Sequence, residues 1–62
     1  MNKLREMREN RGLRLIDVAT QCGVGIATIW NIENGYEQRA SKKTRQKIAS
    51  GLKVNIKDIF SE

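Results

Sequence analysis

Apolar side chains recur at spacings of three and four along most of this chain, and polar or glycine breaks divide the pattern into five short helical segments. The first places Leu4, Met7 and the stem of Arg11 on one face, starting from a cap at Asn2, running to about Arg11 and stopping at Gly12. Leu13 then packs at the corner. A second segment, Leu15 to Cys22, carries the stripe Leu15, Val18, Ala19 and Cys22. Gly23 follows where a residue without Cβ takes positive φ at least cost. The third segment runs from Ile26 to Asn34, with Ile29 and Ile32 inward, and stops at Gly35. Ser41 caps a fourth helix from about Lys42 to Leu52, with Thr44, Ile48, Ala49 and Leu52 inward. A short last helix is capped by Asn55 with Asp58 three positions on, and Val54 against Ile59 is its hydrophobic staple. Ile56, Ile59 and Phe60 close the core from that end.

Two positions break local rules. Arg14 stands at the N-cap of the second helix, where its side chain cannot accept the amide hydrogen bonds a cap supplies. The loss is of order 0.5–2 kcal/mol against Ser, unless Asp17 at the third helical position compensates. Gly51, inside the fourth helix, costs about 1 kcal/mol against alanine, which points to the close approach of another backbone, within or between subunits.

Sixty-two residues make one domain, 1–62, with little room for an enclosed substrate pocket beside a core. The 39% hydrophobic and 31% charged residues are ordinary for a globular chain. No apolar run approaches the roughly 18 residues that span a bilayer, and no signal peptide is visible, so a cytoplasmic location without membrane association is expected. A single cysteine makes no internal disulfide, and the lack of histidine removes the common zinc sites and His-based acid–base catalysis. No metal, cofactor, small-molecule substrate or enzymatic activity is therefore expected. Net charge of +5 and a pI near 9.9 favour a polyanionic partner. The charge is concentrated between Tyr36 and Lys47, where Arg39, Lys42, Lys43, Arg45 and Lys47 face Glu37 alone.

Two compact helices pivoting on a glycine, residues 15–34, form a helix-turn-helix, whose second helix can enter the DNA major groove. The Val18-Ala19 pair, Gly23-Val24 in the turn, Ile29 and the closing Ile32-Glu33-Asn34-Gly35 resemble the helix-turn-helix of the phage repressor and Cro type, the XRE family. The resemblance runs from Leu4 to Phe60. It implies an all-α, compact five-helix, lambda-repressor-like DNA-binding domain. The implied function is that of a transcriptional regulator, acting as a repressor on a double-stranded DNA operator, with a weak homodimer formed through the Leu52–Phe60 region. The chain departs from the family at four places. Arg14 replaces the usual Ser or Thr cap, and Leu15 stands where glutamine often reaches DNA. Lys53-Val54 occupies the usual Gly-Val turn, and the basic loop lacks its common proline.

The resemblance assigns base contacts to Ile26, Ala27 and Asn31, with Thr28 at the margin. Asn31 can read adenine through paired hydrogen bonds, whereas Ile26 and Ala27 can only touch thymine methyls or exclude other bases. Backbone contacts fall to Trp30, Asn34, Tyr36, Gln38, Arg39, Lys42 and Lys43, with the amides at the start of the fourth helix holding phosphates. Arg8 is expected to pair with Glu33 and fix the angle between helices. Several readings stay open: Ile26 as a core residue; Trp30 as packing, as a phosphate or sugar contact, or as a self-association contact; the basic loop as merely solubilising; Arg8 and Glu33 as ordinary surface charges. A protein-interaction module of the same fold, such as an antitoxin or antirepressor partner, is the alternative function.

Overall fold

The path of the chain is set by its helix stops. In the computed structural model, which describes residues 2–60, α1 (Leu4–Asn10), α2 (Leu15–Cys22), α3 (Ile26–Glu33) and α4 (Lys42–Leu52) each run out into a residue with positive φ. A single 3-10 turn, Glu37–Arg39, lies between α3 and α4, and α5 (Ile56–Ile59) ends the series. Residues 1, 61 and 62 of the expected domain span lie outside the described residues.

After α2, Gly23 takes φ 67 and ψ 35. Its N–H donates to the Thr20 carbonyl at 3.3 Å and the Val24 N–H to the Ala19 carbonyl at 3.1 Å, so two otherwise orphaned carbonyls are satisfied as the helix closes. The chain then bends by 115° into α3. The same closure ends α4, but there the left-handed residue is Lys53, at φ 59 and ψ 46. Its Cβ crowds the following carbonyl at a cost of roughly 1–2 kcal/mol.

The largest fully buried side chains are Leu4, Val18, Ile29, Ile32, Ile48, Leu52 and Ile59, so every α-helix contributes to one cluster. α2 packs most extensively, against both α3 and α4. Gly51 lies where α4 crosses α2: a Cβ there would stand 2.7 Å from the Cys22 Cα, 2.7 Å from its Sγ and 2.9 Å from the Gln21 carbonyl oxygen. The backbone approach is therefore within one subunit. Burial raises the Cys22 thiol above its ordinary pKa, and its Sγ lies 3.4 Å from the Ile48 carbonyl.

Several element ends differ from the sequence reading. α1 starts after Lys3 rather than Asn2, yet Asn2 still serves the helix, because its Oδ1 accepts from the Leu4 N–H at 3.0 Å. α1 ends at Asn10, and Arg11 instead reaches across 41 residues to donate to the Leu52 carbonyl at 2.7 Å. A cation there complements the negative end of the α4 dipole. α3 ends at Glu33, with Asn34 as its C-cap. At α2 no side chain accepts in place of the missing cap. Asp17 instead takes the Arg14 N–H at 2.7 Å and its guanidinium at 3.1 and 3.0 Å, and the Arg14 hydrogen bonds hold the Asp17 carboxyl below its usual value. Asp58 takes the Asn55 N–H at 2.9 Å in the same way at α5.

Candidate functional site

The eight residues of α3 divide cleanly around its axis. Ile29 and Ile32 are buried at 0% and 1% exposure and hold the helix to the core. The opposite side carries Ile26, Ala27 and Trp30, all exposed, and Asn31, half-buried; Thr28 is half-buried at the boundary. Ile26 is 47% exposed, which removes the core reading of that residue, and Trp30 is 49% exposed. Neither the Asn31 amide nor the Trp30 indole N–H makes a hydrogen bond among the described residues. Asn31 lines a narrow cleft of about 50 Å³ with Thr28, Tyr36 and Arg39. The N-cap of α3 is Gly25, which has no side chain to satisfy the first amides.

The C-terminal end of α3 is fastened by three different groups. Arg8 of α1 grips Glu33 with two hydrogen bonds, Nε to Oε2 at 2.7 Å and Nη2 to Oε1 at 3.1 Å, while its Nη1 donates to the Leu13 carbonyl at 2.8 Å. The Glu33 side chain is 2% exposed and that of Arg8 14%, so this is a desolvated, two-pronged pair whose geometry specifies direction. The bond to Glu33 raises the guanidinium pKa further. Arg5, half-exposed one turn earlier, adds longer contacts to Glu33 at 3.4 Å and to the Asn34 Oδ1 at 3.3 Å. Asn2 donates to the Ile32 carbonyl at 2.8 Å and to Glu37 at 3.0 Å. Asn34 is further committed, its amide donating to the Trp30 carbonyl at 2.8 Å.

Beyond Gly35, Tyr36, Gln38, Arg39, Lys42 and Lys43 are all exposed. The Arg39 guanidinium stacks on the Tyr36 ring, 4.7 Å from its centroid. Ser41 caps α4 by accepting from the Thr44 N–H at 3.2 Å, which leaves the amides of Lys42 and Lys43 without an intrachain partner among the described residues. Two lysines thus flank a helix N-terminus that attracts anions.

Arg45 lies among the basic residues 36–47, but its place is structural. Its Nη2 donates to the Glu37 carbonyl at 2.7 Å and its Nε to the Ala40 carbonyl at 3.2 Å, and the guanidinium lies 5.0 Å over the Phe60 ring. It ties the loop to α4 and α5 where a proline would stiffen the loop from within. Nothing in the local pattern distinguishes Arg45 from its basic neighbours; only the carbonyls that meet it in space do so. Arg5 had a weak signal, since its position three residues before Arg8 puts both on one face of α1.

In the Leu52–Phe60 region, Leu52, Ile59 and Phe60 belong to the protomer's own core, at 1%, 1% and 3% exposure. The surface left there is Lys53, Asn55, Lys57 and Asp58 with half-buried Val54 and Ile56. Ile56 also borders a shallow depression lined by Ala40, Lys42, Arg45 and Gln46. Among the described residues no single helix is long and apolar enough to cross a membrane.

A family model described as helix-turn-helix matches residues 4–59. Searches of curated proteins and of solved structures return no significant match.

Proposed function

The chain belongs to the helix-turn-helix family of the phage repressor and Cro type, a family of DNA-binding transcriptional regulators, and we propose that it is a sequence-specific repressor that lays α3 in the major groove of its operator. The observation that carries this reading is the outer side of α3. On that side Ala27 is exposed and Asn31 half-buried, Asn31 shares a cleft with Arg39, and Lys42 and Lys43 are exposed at the start of α4. Ile26, Ala27 and Asn31, with Thr28 at the edge, face base edges. Asn31 pairs with an adenine, and the cleft it shares with Arg39 and Tyr36 brings base readout next to a phosphate clamp. Arg39, Lys42, Lys43 and the first amides of α4 hold phosphates, with Trp30, Tyr36, Gln38 and Asn34 along the backbone; Asn34 has the least freedom, because its side chain already bonds at both ends. Arg8 and Glu33 set the angle at which α3 is presented.

One domain of this size spans few base pairs, so two copies bind a two-fold site about one helical turn apart. The contact between them uses Lys53–Lys57 rather than the buried Leu52, Ile59 and Phe60. Repression is by occupancy of the operator, in the cytoplasm. The test is selection of bound duplexes from a random library, read for preference and half-site spacing together. Asn31→Ala should relax preference at one or two positions, at a cost of about 1–3 kcal/mol. Lys43→Ala should weaken all sites alike. With about four phosphates neutralised per subunit, the log–log salt slope of the dimer should be near −7. Recovery of unenriched sequence, or a slope near zero, would defeat the proposal.

A further inference from the structure

Four large apolar side chains are markedly exposed on the described surface, and two of them, Ile26 and Trp30, stand on α3. Four residues apart on one helix, they adjoin and form a ridge beside Ala27, in which Ile26 and Ala27 face the base edges of the proposed complex and Trp30 closes the ridge on the backbone side. Within the helix, the exposed side therefore offers three apolar or aromatic side chains and one amide, Asn31. Ile26 and Ala27 cannot satisfy the hydrogen-bonding groups at base edges, which fall to Asn31 alone on this side. The apolar group that a base pair presents in the major groove is the C5-methyl of thymine. Cytosine methylated at C5 carries the same group on the same ring carbon.

Resting on the placement of α3 proposed above, we infer that this ridge recognises the C5-methyl group of pyrimidines, so that methylation of cytosine in the operator creates a contact equivalent to that of thymine. Affinity is then tuned by the methylation state of the DNA as well as by its sequence. A duplex is the occupant favoured by charge. Arg39, Lys42 and Lys43 are exposed on the segment that follows α3, and the whole chain is +5. A second copy seated on the ridge would bring like charges together, whereas a duplex brings phosphates to them.

The test uses a duplex enriched from the random library. Each thymine is replaced in turn by deoxyuridine, which removes the methyl and leaves the hydrogen-bonding edge unchanged. Binding is followed by the fluorescence of Trp30, the only tryptophan in the chain. One or two replacements should weaken binding, each by about fourfold, the value of one buried methyl. At those positions a C·G pair should bind weakly, and methylating its cytosine at C5 should strengthen binding by a similar factor. Ile26→Ala, at an exposed position that leaves the Trp30 signal in place, should bring the thymine-to-uracil ratio towards one, and a ratio equal to the parent's would overturn the inference.

Uniform affinity across all uracil replacements, with selectivity among unmodified duplexes intact, would overturn the inference and leave the proposed function standing. Equal binding of methylated and unmethylated cytosine at every thymine position would do the same. Concentration-dependent self-association without DNA that Trp30→Ala abolishes would assign the ridge to a second copy instead. If no duplex is enriched, both readings fall.

Discussion

Replacing Gly51 by alanine sets two effects of opposite sign against each other. Helix propensity alone makes the change favourable by about 1 kcal/mol, since Gly51 lies inside the eleven-residue α4. Packing opposes it. The new Cβ would lie 2.7 Å from the Cys22 Cα and 2.9 Å from the Gln21 carbonyl oxygen, against the roughly 3.5–4.0 Å at which carbon atoms rest. Both are backbone atoms, so no rotamer change relieves them, and α4 must withdraw from α2 by about 1 Å to reach contact distance. That withdrawal loosens Val18, Ile48 and Leu52, all at 1% exposure or less. Overpacking of a close-packed interior costs about 1–3 kcal/mol, and a backbone clash belongs at the upper end. The net expectation is a loss of about 2 kcal/mol, a large part of the roughly 3–9 kcal/mol available to a chain of this length. Urea unfolding followed by circular dichroism at 222 nm reads this as a lower midpoint at unchanged slope. The double variant Cys22→Ala, Gly51→Ala removes the sulfur contact but leaves the two backbone ones, and should recover little. A higher midpoint for Gly51→Ala would refute the reasoning, because it would mean that the helix crossing yields freely.

Lys53→Gly should raise stability by about 1 kcal/mol, as relief of the left-handed strain exceeds the added chain entropy; the same urea titration checks it. Arg8→Ala should cost about 3 kcal/mol by leaving the Glu33 carboxylate enclosed with only the longer Arg5 contact, and adding Glu33→Leu to that variant should restore much of the loss. Because the folded Asp17 carboxyl is held below its unfolded value, its contribution is complete above the unfolded pKa and disappears as pH falls through the folded one. Asp17→Asn should therefore unfold at a lower temperature than the parent at neutral pH, with the difference shrinking in acid; a constant difference from pH 7 to pH 2 would contradict this.

Elements whose signal is local were legible in the sequence. The helix bodies of α2 and α4 follow from apolar spacing, and Ser41 and the glycine stops follow from the backbone groups that need partners at helix ends. Gly51 was legible as a violation, since a glycine inside a good helix implies a neighbour that a Cβ would strike. What escaped depends on meetings between distant segments. Arg11 on Leu52 and Asn2 on Ile32 join segments far apart in the chain, and Arg45 on Glu37 and Ala40 closes a loop; all are cations or amides satisfying main-chain carbonyls. A carbonyl is present at every residue, so no residue type marks the acceptor in advance. The 3-10 turn at Glu37–Arg39 was missed for a related reason: it is held in part by Arg45, eight residues after the Glu37 carbonyl it binds. The candidate interface was legible as a set of residue numbers, because helical spacing places Ala27 and Asn31 opposite Ile29 and Ile32. That Asn34 is committed to Trp30 and Arg5 is a matter of three-dimensional placement.

The fastenings of α3 are unevenly distributed, and this has a consequence for how its surface can change. Asn2, Arg5 and Arg8 all act between Ile32 and Asn34, while Ile29 and Ile32 supply the buried anchor. The Ile26, Ala27, Trp30 and Asn31 side chains make no hydrogen bond among the described residues, and three of the four are exposed. Substitutions at these positions should therefore alter what the helix touches with little effect on its orientation or on folding, since exposed changes away from caps and buried networks usually stay within about 0.5 kcal/mol. The pair Arg8–Glu33 is the opposite case. It contacts no base in the proposed complex, yet a rotation of α3 about its C-terminal end would displace Ile26 most, because that residue lies farthest from the pivot. With a rise of about 1.5 Å per residue, Ile26 stands some 10 Å from Glu33, so a tilt of about 10° moves it by nearly 2 Å, enough to lose a methyl contact while leaving the core intact. An arrangement in which one end is locked and the other left chemically free lets the recognised sequence vary without rebuilding the support, provided the lock holds its angle.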